Sequence, residues 1–425
     1  MGELLDRTTA LDATVHMTTY ARKPAMFVSG SGMRLVDDEG REYLDFVSGI
    51  GAVNLGHAHP AVTAAICEQA AKLTHVSNLY YVEHRDELAR DLTELLAGAE
   101  AAARAWNADG PVAGPDPSQW RIFFSNSGAE AVEGAIKLAR RHGMVSKGSD
   151  CTNIVTAERS FHGRTLAALA ATGQPSKQES FRPLPAGFSH VPLNDLAALT
   201  AAVDEHTCAV MLEPVQGEGG VYPCDPAYLR GVRELCDDRG ILLILDEVQT
   251  GFYRTGAPFA FELFGVVPDV VCLAKAIANG LPMGAIAARG DAATVLKPGD
   301  HGSTFGGGPL VCAAARATLR ALADERLGEN AAASGVYLRD KLHEFAGATG
   351  RVADVRGAGL MNAVEFKDPI AGDIATAGLA RGLVLNSIGT HILRILPPLV
   401  CATTEIDTLV AALYEMSAMG DDGGA

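Results

Sequence analysis

The chain has 425 residues, of which 48% are hydrophobic and 20% charged, values typical of a globular protein long enough for two domains. Acidic residues outnumber basic ones, 51 to 35, and the formal net charge is −16. This balance argues against a nucleic acid or an anionic membrane as the main partner.

The beginning of the chain lacks the apolar core of a signal peptide. The most apolar stretches, such as ILLIL at 241–245, are too short to span a bilayer. The eight cysteines form no C-x-x-C pair, so the sequence predicts neither a zinc site nor a redox pair. We therefore expect a cytoplasmic protein that binds no metal and no membrane.

From about residue 120 to 290, short apolar runs alternate with amphipathic segments. The runs are RIFF (121–124), TNIVTA (152–157), CAVMLEP (208–214), ILLILDE (241–247), DVVCLA (269–274) and GAIAAR (284–289). Continuous apolar strands separated by helices indicate a mostly parallel sheet covered by helices on both faces. The sequence therefore predicts an α/β fold.

The flanking regions complete the predicted organisation. A long alanine-rich helix is expected after Pro309, and the residues beyond it carry fewer strand signals. We predict an N-terminal segment (1–60) packed with a small domain, a large domain (61–310) and a small C-terminal α+β domain (311–425). The stretch 98–119, rich in Ala, Gly, Pro and Asp, predicts a surface loop, and the final MGDDGGA predicts a frayed end.

The segment after RIFF, SNSGAEAVEGAIKLAR, predicts the start of a helix. Ser127 and Glu130 have the spacing of a capping box. Gly128 would let a ligand approach the backbone closely, and the free N–H groups of a helix N-terminus favour a phosphate. Taken alone, the segment is better explained as a plain capped helix.

Asp246 closes the apolar run ILLIL, where a buried carboxylate needs a cation or hydrogen-bond donors. The cation could be magnesium, as in a nucleotide hydrolase, or a protonated ring nitrogen. A hydrolase requires a G-x-x-x-x-G-K-[ST] loop, which the sequence does not contain. The sequence also lacks G-x-G-x-x-G, which argues against nicotinamide and flavin cofactors.

Lys275 ends the apolar run DVVCLA, and a buried, unpaired ammonium is costly. The plain alternative is a lysine whose amine reaches water. A lysine, an aspartate and a phosphate-ready helix at three strand ends together predict a pyridoxal phosphate site. The amine would bond the cofactor's aldehyde, the aspartate would hold its ring nitrogen protonated, and the helix would bind its phosphate.

The chain resembles the class III (fold type I) pyridoxal-phosphate aminotransferases, and among them most closely those that act on N2-acetyl-L-ornithine. The stretches that carry the resemblance are YLDFVSGIGAVNLGHAHP (43–60), THVSNLYY (74–81), FFSNSGAEA (123–131), FHGRT (161–165), EPVQGEGGV (213–221), LDEVQTGFYRTG (245–256), LAKAIANGLPMGA (273–285), HGSTFGG (301–307), VRGAGLM (355–361) and LRILPP (393–398). They run in the family's order, from about residue 20 to 400. Because the match starts only after Met17, translation could begin at Met1 or at Met17.

The resemblance implies roles for the residues of the cofactor site. Lys275 would bind the cofactor covalently and move the proton in catalysis, and Asp246 would contact the ring nitrogen. Further cofactor contacts are implied at Gly128, Ala129, Phe161, Glu247, Val248, Gln249 and Thr304. Gln249 would contact the phenolic oxygen, and Thr304 would reach the phosphate of a neighbouring subunit. An obligate homodimer is therefore expected.

The resemblance also implies how substrates bind. Arg164 would hold the donor's α-carboxylate, and Ser303 would be a second donor contact. Arg394 would bind the α-carboxylate of L-glutamate or 2-oxoglutarate, and Glu218 would neutralise Arg394 when an ω-amine donor is present. The implied reaction moves the terminal amine of N2-acetyl-L-ornithine to 2-oxoglutarate, in arginine biosynthesis.

Several alternatives stay open from the sequence. The donor could be ornithine, 4-aminobutyrate, succinylornithine or succinyl-diaminopimelate. Tyr253, where glycine is usual in the family, and the long loop at 98–119 could alter access to the pocket. The remote alternatives are a nucleotide hydrolase and a non-catalytic binding protein.

Overall fold

The computed structural model describes residues 2–106, 108, 110 and 112–418, and the strands of this part form four sheets. The strands are β1 (Phe27–Ser31), β2 (Arg34–Asp37), β3 (Glu42–Asp45), β4 (Trp120–Ser125), β5 (Asn153–Ala157), β6 (Phe188–Val191), β7 (Thr207–Leu212), β8 (Val215–Gln216), β9 (Tyr222–Pro223), β10 (Leu242–Asp246), β11 (Val270–Leu273), β12 (Gly284–Arg289), β13 (Val352–Ala358), β14 (Met361–Phe366), β15 (Leu383–Val384), β16 (Asn386–Ile388) and β17 (Ile392–Ile395).

The helices of the described residues are α1 (Glu3–Val15), α2 (Ser48–Gly51), α3 (Pro60–Lys72), α4 (Arg85–Trp106), α5 (Gly128–Ser146), α6 (Leu166–Ala171), α7 (Pro175–Gln178), α8 (Leu196–Ala202), α9 (Pro226–Arg239), α10 (Pro309–Asp324), α11 (Leu327–Thr349), α12 (Ala371–Ala380) and α13 (Thr403–Ala418). Of these, α2 is a single left-handed turn with positive φ at all four residues. Short 3-10 turns lie at Pro117–Gln119, Glu179–Phe181, Ala260–Phe264, Lys275–Ala278 and Gly290–Thr294. No helix in this part of the chain is long and apolar enough to cross a membrane.

A seven-stranded sheet in the order β4-β12-β11-β10-β7-β5-β6 forms the centre of the fold. The strands from β11 to β6 pair in parallel, and β12 runs antiparallel to both of its neighbours. The six apolar runs all form strands of this sheet, so the predicted mostly parallel sheet is confirmed. The seventh strand, β6, lies at the edge and buries only Val191 fully, which is why no apolar run marks it.

Residues along the central strands alternate between two apolar layers. In β11, Val271 and Leu273 belong to one core cluster, whereas Val270 and Cys272 belong to the other. The buried face of α4 contributes to the first cluster and that of α5 to the second. Because successive side chains of a strand point to opposite faces, the sheet is covered by helices on both sides, as predicted.

A separate antiparallel sheet, β13-β14-β17-β16, packs with α11 and α12 and forms the predicted small C-terminal α+β part. The N-terminal strands form the sheet β1-β2-β3-β15, in which Leu383 pairs in parallel with Leu44. This pairing is a direct contact between residues 1–60 and residues 311–425, which were predicted to pack together. Helix α10 contacts α3 and α4 as well as α11, and the domain limits at 60 and 310 stay predictions.

The predicted surface loop at 98–119 is wrong over its first part, because α4 continues through Trp106. The alanines of this stretch are good helix formers, and two of them, Ala99 and Ala103, are buried. Residues 107, 109 and 111 and the predicted frayed end MGDDGGA lie outside the described residues. The chain returns to the sheet through the 3-10 turn at Pro117–Gln119, which Asp116 caps.

Candidate active site

A cavity of about 420 Å³ lies where β4, β7, β10 and β11 end. In open α/β sheets this edge is where ligands bind. The residues that line the cavity include the predicted site residues Gly128, Ala129, Phe161, Arg164, Glu218, Asp246, Val248, Gln249 and Lys275. Residues far apart in the sequence are therefore brought together at the predicted place.

Helix α5 begins at one wall of the cavity. Its N-cap is Ser127, whose side-chain oxygen accepts a hydrogen bond from the backbone N–H of Glu130 at 3.1 Å. A Cβ atom on Gly128 would lie 2.8 Å from a methyl carbon of Val248, so this position has no room for a side chain. The backbone of Gly128 and Ala129 at a helix N-terminus offers N–H groups and a positive dipole end to an anion.

Asp246 ends β10, and both oxygens of its carboxylate accept hydrogen bonds. Oδ1 accepts from the backbone N–H of Val248 at 3.1 Å, and Oδ2 contacts Nδ1 of His162 at 2.8 Å. Burial by itself lowers the pKa of His162, but the hydrogen bond and negative charge of Asp246 raise that pKa above its ordinary value. His162 is therefore the donor in this pair. A carboxylate fixed in this way can hold a protonated ring nitrogen.

Lys275 lies two residues after the end of β11 and has a left-handed backbone, with φ 49°. For a residue other than glycine, this conformation is strained, and such strain is concentrated at functional sites. Burial lowers the pKa of Lys275 to about 8, and the negative charge of Glu218 only partly offsets that effect. An amine with this pKa is available in its neutral, nucleophilic form near neutral pH.

Phe161 and Gln249 both line this cavity, from segments that are far apart in the sequence. The backbone N–H of Phe161 donates to Glu213 at 3.0 Å, which fixes the loop that carries the ring. The oxygen Oε1 of Gln249 is buried and has no hydrogen-bond partner among the described residues. A Cβ atom on Gly217 would lie 2.1 Å from this oxygen, so a side chain there would displace the Gln249 amide.

The two predicted carboxylate-binding arginines lie in different settings. Arg164 is exposed at the cavity, with its guanidinium carbon 5.6 Å from the centre of the Phe161 ring. Arg394 is only 1% exposed, forms an ion pair with Glu218, and donates to Oδ1 of Asn386 at 2.8 and 3.1 Å. Burial raises the pKa of Glu218, but the charge and the hydrogen bond of Arg394, together with the charge of Lys275, lower that pKa below its ordinary value overall.

Four predicted contacts do not line the cavity: Glu247, Ser303, Thr304 and Arg394, whose ion-pair partner Glu218 does. Glu247 points away from it, because its carboxylate accepts hydrogen bonds from the backbone N–H groups of Ala260 and Phe261. The cofactor contact expected at Glu247 stays a prediction, and its carboxylate is not available for it in this conformation. Ser303 and Thr304 line a second cavity of about 310 Å³, which Asn126 separates from the first. The side chain of Ser303 contacts Asn126 at 3.0 Å.

Two buried groups of the site, His162 and Glu213, were not predicted from the sequence, although both lie within stretches that carry the family resemblance. His162, from FHGRT, supports Asp246 as described above. Glu213, from EPVQGEGG, accepts hydrogen bonds from two backbone N–H groups, and burial raises its pKa to about 7. Tyr253, which could alter access to the pocket, packs against Gly328 in α11 and does not line the cavity.

These residues fit pyridoxal phosphate. The glycine at the start of α5 leaves space for a phosphate, and the carboxylate of Asp246 is already fixed by two donors. Gln249 presents a polar atom that has no partner in the protein, and Lys275 presents an amine of lowered pKa. The donor set therefore matches a phosphate, a ring nitrogen, a ring oxygen and an aldehyde.

Comparison with known proteins points to the same chemistry. The family model described as aminotransferase class-III matches residues 17–416. The acetylornithine aminotransferases of Caldanaerobacter subterraneus subsp. tengcongensis and Methanothermobacter thermautotrophicus are each 46% identical to this chain. The first match covers 94% of this chain and 96% of that protein, and the second covers 93% and 95%.

Solved structures agree. The ornithine aminotransferase from Toxoplasma gondii is similar with a TM-score of 0.90 at 32% identity, covering 99% of this chain and 96% of that one. The acetylornithine aminotransferase from Elizabethkingia anophelis gives 0.83 at 32% identity, with 97% and 98% covered. From the family match, the identity and the site, we conclude that the chain belongs to the class III aminotransferases, which depend on pyridoxal phosphate.

Proposed function

We propose that this chain moves the terminal amine of N2-acetyl-L-ornithine to 2-oxoglutarate, giving N-acetylglutamate 5-semialdehyde and L-glutamate. The observation that carries the proposal is the charge layout of the cavity. Asp246 is bonded to His162, Glu218 is paired with Arg394, and Glu213 is bonded to two backbone N–H groups. The free 2-ammonium of ornithine would find no unengaged carboxylate among these, whereas an acetylated nitrogen is uncharged and needs none.

The two arginines support two substrates in one cavity. We propose that Arg164 binds the donor's α-carboxylate, which leaves the terminal amine at Lys275. While Glu218 neutralises the charge of Arg394, the donor does not need a second carboxylate to pair with that arginine. When 2-oxoglutarate enters, its α-carboxylate would replace Glu218 at Arg394, where Asn386 already orients the guanidinium.

We propose that Gly128 and Ala129 hold the cofactor's phosphate, Asp246 its ring nitrogen and Gln249 its phenolic oxygen. Phe161 and Val248 would contact the ring. When bound, pyridoxal phosphate supplies an aldehyde that bonds amines and a ring that withdraws electrons from the donor carbon. The Nζ atom of Lys275 would then remove the proton from the donor's terminal carbon, which its pKa of about 8 permits near neutral pH.

We also propose a homodimer in which Thr304 reaches the phosphate of the second copy. Large apolar side chains near Thr304 are exposed: Leu79 by 85%, Tyr81 by 94% and Phe305 by 64%. Asn78 joins the two segments by donating to the backbone oxygen of Ser303. Such a patch is typical of an interface. Light scattering is expected to give twice the mass of the chain, and a monomer that binds the cofactor normally would reject the shared site.

Ornithine is the second candidate donor, since the solved structure with a TM-score of 0.90 is an ornithine aminotransferase. Single-turnover decay of the bound cofactor's absorbance, with each candidate amine in turn, separates the donors. We expect N2-acetyl-L-ornithine to react at least about tenfold faster than ornithine or 4-aminobutyrate, since an unpaired ammonium costs more than 1.4 kcal/mol. Faster decay with ornithine would move the assignment to that donor.

A further inference from the structure

Tyr222 contacts two guanidinium groups beside the cavity. It begins β9, which pairs with β8, and Glu218 lies in the turn between these two strands. The guanidinium carbon of Arg356 lies 3.9 Å from the centre of the Tyr222 ring, and that of Arg159 lies 4.5 Å from it. The Tyr222 hydroxyl donates to Glu365 at 3.1 Å. We call the group of Tyr222, Arg159 and Arg356 the tyrosine stack.

The tyrosine stack joins the hairpin of Glu218 to the sheet of Arg394. Arg159 follows β5 of the central sheet, whereas Arg356 lies in β13 of the sheet that includes Arg394 in β17. Arg356 also donates to the backbone oxygen of Gly220 through Nε at 3.0 Å and a terminal nitrogen at 2.7 Å. The turn is therefore tied to the small sheet two residues after Glu218.

The turn has little room to move while the tyrosine stack is intact. Gly220 has φ 121°, and a Cβ atom there would lie 2.7 Å from Ile392 and 2.8 Å from the Tyr222 ring. Val221 next to it is fully buried, in a small apolar cluster with Met361, Ala363 and Leu396. This packing fixes the hairpin at a position where Glu218 reaches Arg394.

We propose that the tyrosine stack is a positioning device that holds Glu218 on Arg394 and thereby sets how readily a dicarboxylate displaces Glu218. The inference rests on the proposed exchange of Glu218 for an acceptor carboxylate. Glu218 and that carboxylate compete for the same guanidinium, so any contact that favours the paired position weakens dicarboxylate binding. Tyr222 itself is a positioning residue, since its ring contacts Arg159 and Arg356 at the edge of the hairpin.

The test is the affinity of the holoenzyme for glutarate, measured by calorimetry. Glutarate has the two carboxylates of 2-oxoglutarate and neither its keto group nor an amine. Tyr222→Leu loses both cation–π contacts and should bind glutarate at least about threefold more tightly than the wild type, because one partly exposed contact of this kind already accounts for a change of that size. Tyr222→Phe keeps the ring and should stay close to the wild type.

Arg356→Lys is the second variant, in case Tyr222→Leu does not fold. It keeps the charge but loses the flat guanidinium and the paired hydrogen bonds to Gly220, so glutarate should again bind more tightly. The matched control is Tyr337→Leu, because Tyr337 also contacts a cation, Lys341, and donates to a carboxylate, Asp407. This control should leave glutarate affinity unchanged.

Glu218→Ala separates the two proposals. If it does not tighten glutarate binding, the exchange at Arg394 is wrong, and the role of the tyrosine stack is wrong with it. If Glu218→Ala tightens binding, but folded Tyr222→Leu and Arg356→Lys bind glutarate as the wild type does or more weakly, only the tyrosine stack proposal is overturned. Tighter binding in all three, with Tyr337→Leu unchanged, supports both.

Discussion

Lys275 combines a strained left-handed backbone with a side chain whose pKa is lowered to about 8 by burial. Burial disfavours the ammonium form, so the folded chain gives up stability to keep this amine inside. In return the amine is partly neutral at a pH where an ordinary lysine is almost fully protonated. Both features fall on one residue at the end of a buried strand, and for this reason we assign the chemistry to it.

Replacing Lys275 by alanine should abolish turnover and leave the fold intact. We expect kcat to fall by roughly 10⁴-fold or more, the upper end of what general acid–base catalysis contributes. Steady-state kinetics and circular dichroism measure the two properties. The matched control is Lys147→Ala, an exposed lysine that contacts only a backbone oxygen of Arg239 in the described structure. Retained activity in Lys275→Ala would remove this residue from the mechanism.

The lowered pKa of Lys275 makes cofactor uptake depend on pH. Only the neutral amine attacks the aldehyde, so uptake of pyridoxal phosphate by the apoprotein should accelerate as pH rises and level off above about 8. A lysine with the ordinary pKa would still be accelerating near pH ~10. Stopped-flow absorbance measures the rate, and a free model amine controls for the cofactor's own titration. A midpoint near ~10 would contradict the assigned environment.

At the scale of elements, the cavity depends on how helices and loops meet the strand ends. Helix α5 starts directly beyond β4, and its first residue must be glycine because Val248 lies against it. In the turn between β8 and β9, a side chain at Gly217 would displace the amide of Gln249. Because these glycines have no Cβ atom, neighbouring side chains and a ligand can lie in the space that a Cβ atom would fill.

Two glycine-to-alanine changes should differ in what they alter: Gly128→Ala should weaken cofactor binding, whereas Gly98→Ala should stabilise the fold. Gly128→Ala places a methyl group 2.8 Å from Val248 and disturbs the N–H groups at the start of α5. Affinity for pyridoxal phosphate should fall at least roughly tenfold, the equivalent of one hydrogen bond to a charged group. Gly98→Ala, inside α4 with no atom within 4 Å, should instead stabilise the protein by about 0.5–1 kcal/mol. Cofactor titration and thermal unfolding measure both. Unchanged affinity in Gly128→Ala would reject the phosphate position.

The sequence predicted elements well where a single physical signal dominated. Buried strands appeared as continuous apolar runs, whereas β6 at the sheet edge needs only one fully buried residue and left no such run. The loop prediction at 98–119 failed because Gly and Pro in its later part obscured the helical alanines of its first part. The sequence also could not show that the carboxylate of Glu247 is bonded away from the cavity, whereas that of Asp246 directly before it faces the cavity.

At the level of the whole molecule, the fully buried Arg254 connects distant parts of the chain by hydrogen bonds. It donates to Oδ1 of Asn54, to the backbone oxygen of Leu360 and to that of Pro397. These acceptors come from the N-terminal part and from the small sheet region, so one guanidinium connects three distant parts of the chain. Burial lowers the pKa of Arg254 to about 9, which shows how strongly water is excluded there.

Arg254→Ala should therefore destabilise the whole protein and not only the site. At least two buried oxygen atoms would lose their donor, which costs about 2–6 kcal/mol in the free energy of unfolding. Urea denaturation measures this loss. Arg326→Ala, an exposed arginine paired with Glu329, is the control and should change stability little. Equal stability of the two variants would show that Arg254 does not connect these parts.

Long-range pairs set the limit of what the sequence could predict. Glu218 and Arg394 are 176 positions apart, and no local pattern indicates that they form an ion pair. That pairing was expected only from the resemblance to a family. The role of His162 was missed for a similar reason, because its partner Asp246 lies 84 positions away.

The most direct test of the account is to reduce the holoenzyme with borohydride and map the modified peptide by mass spectrometry. Reduction fixes the cofactor to the amine that holds it. We expect a single phosphopyridoxyl group, on Lys275. A label on any other lysine, or no label on protein saturated with pyridoxal phosphate, would contradict the assignment of this cavity as the active site.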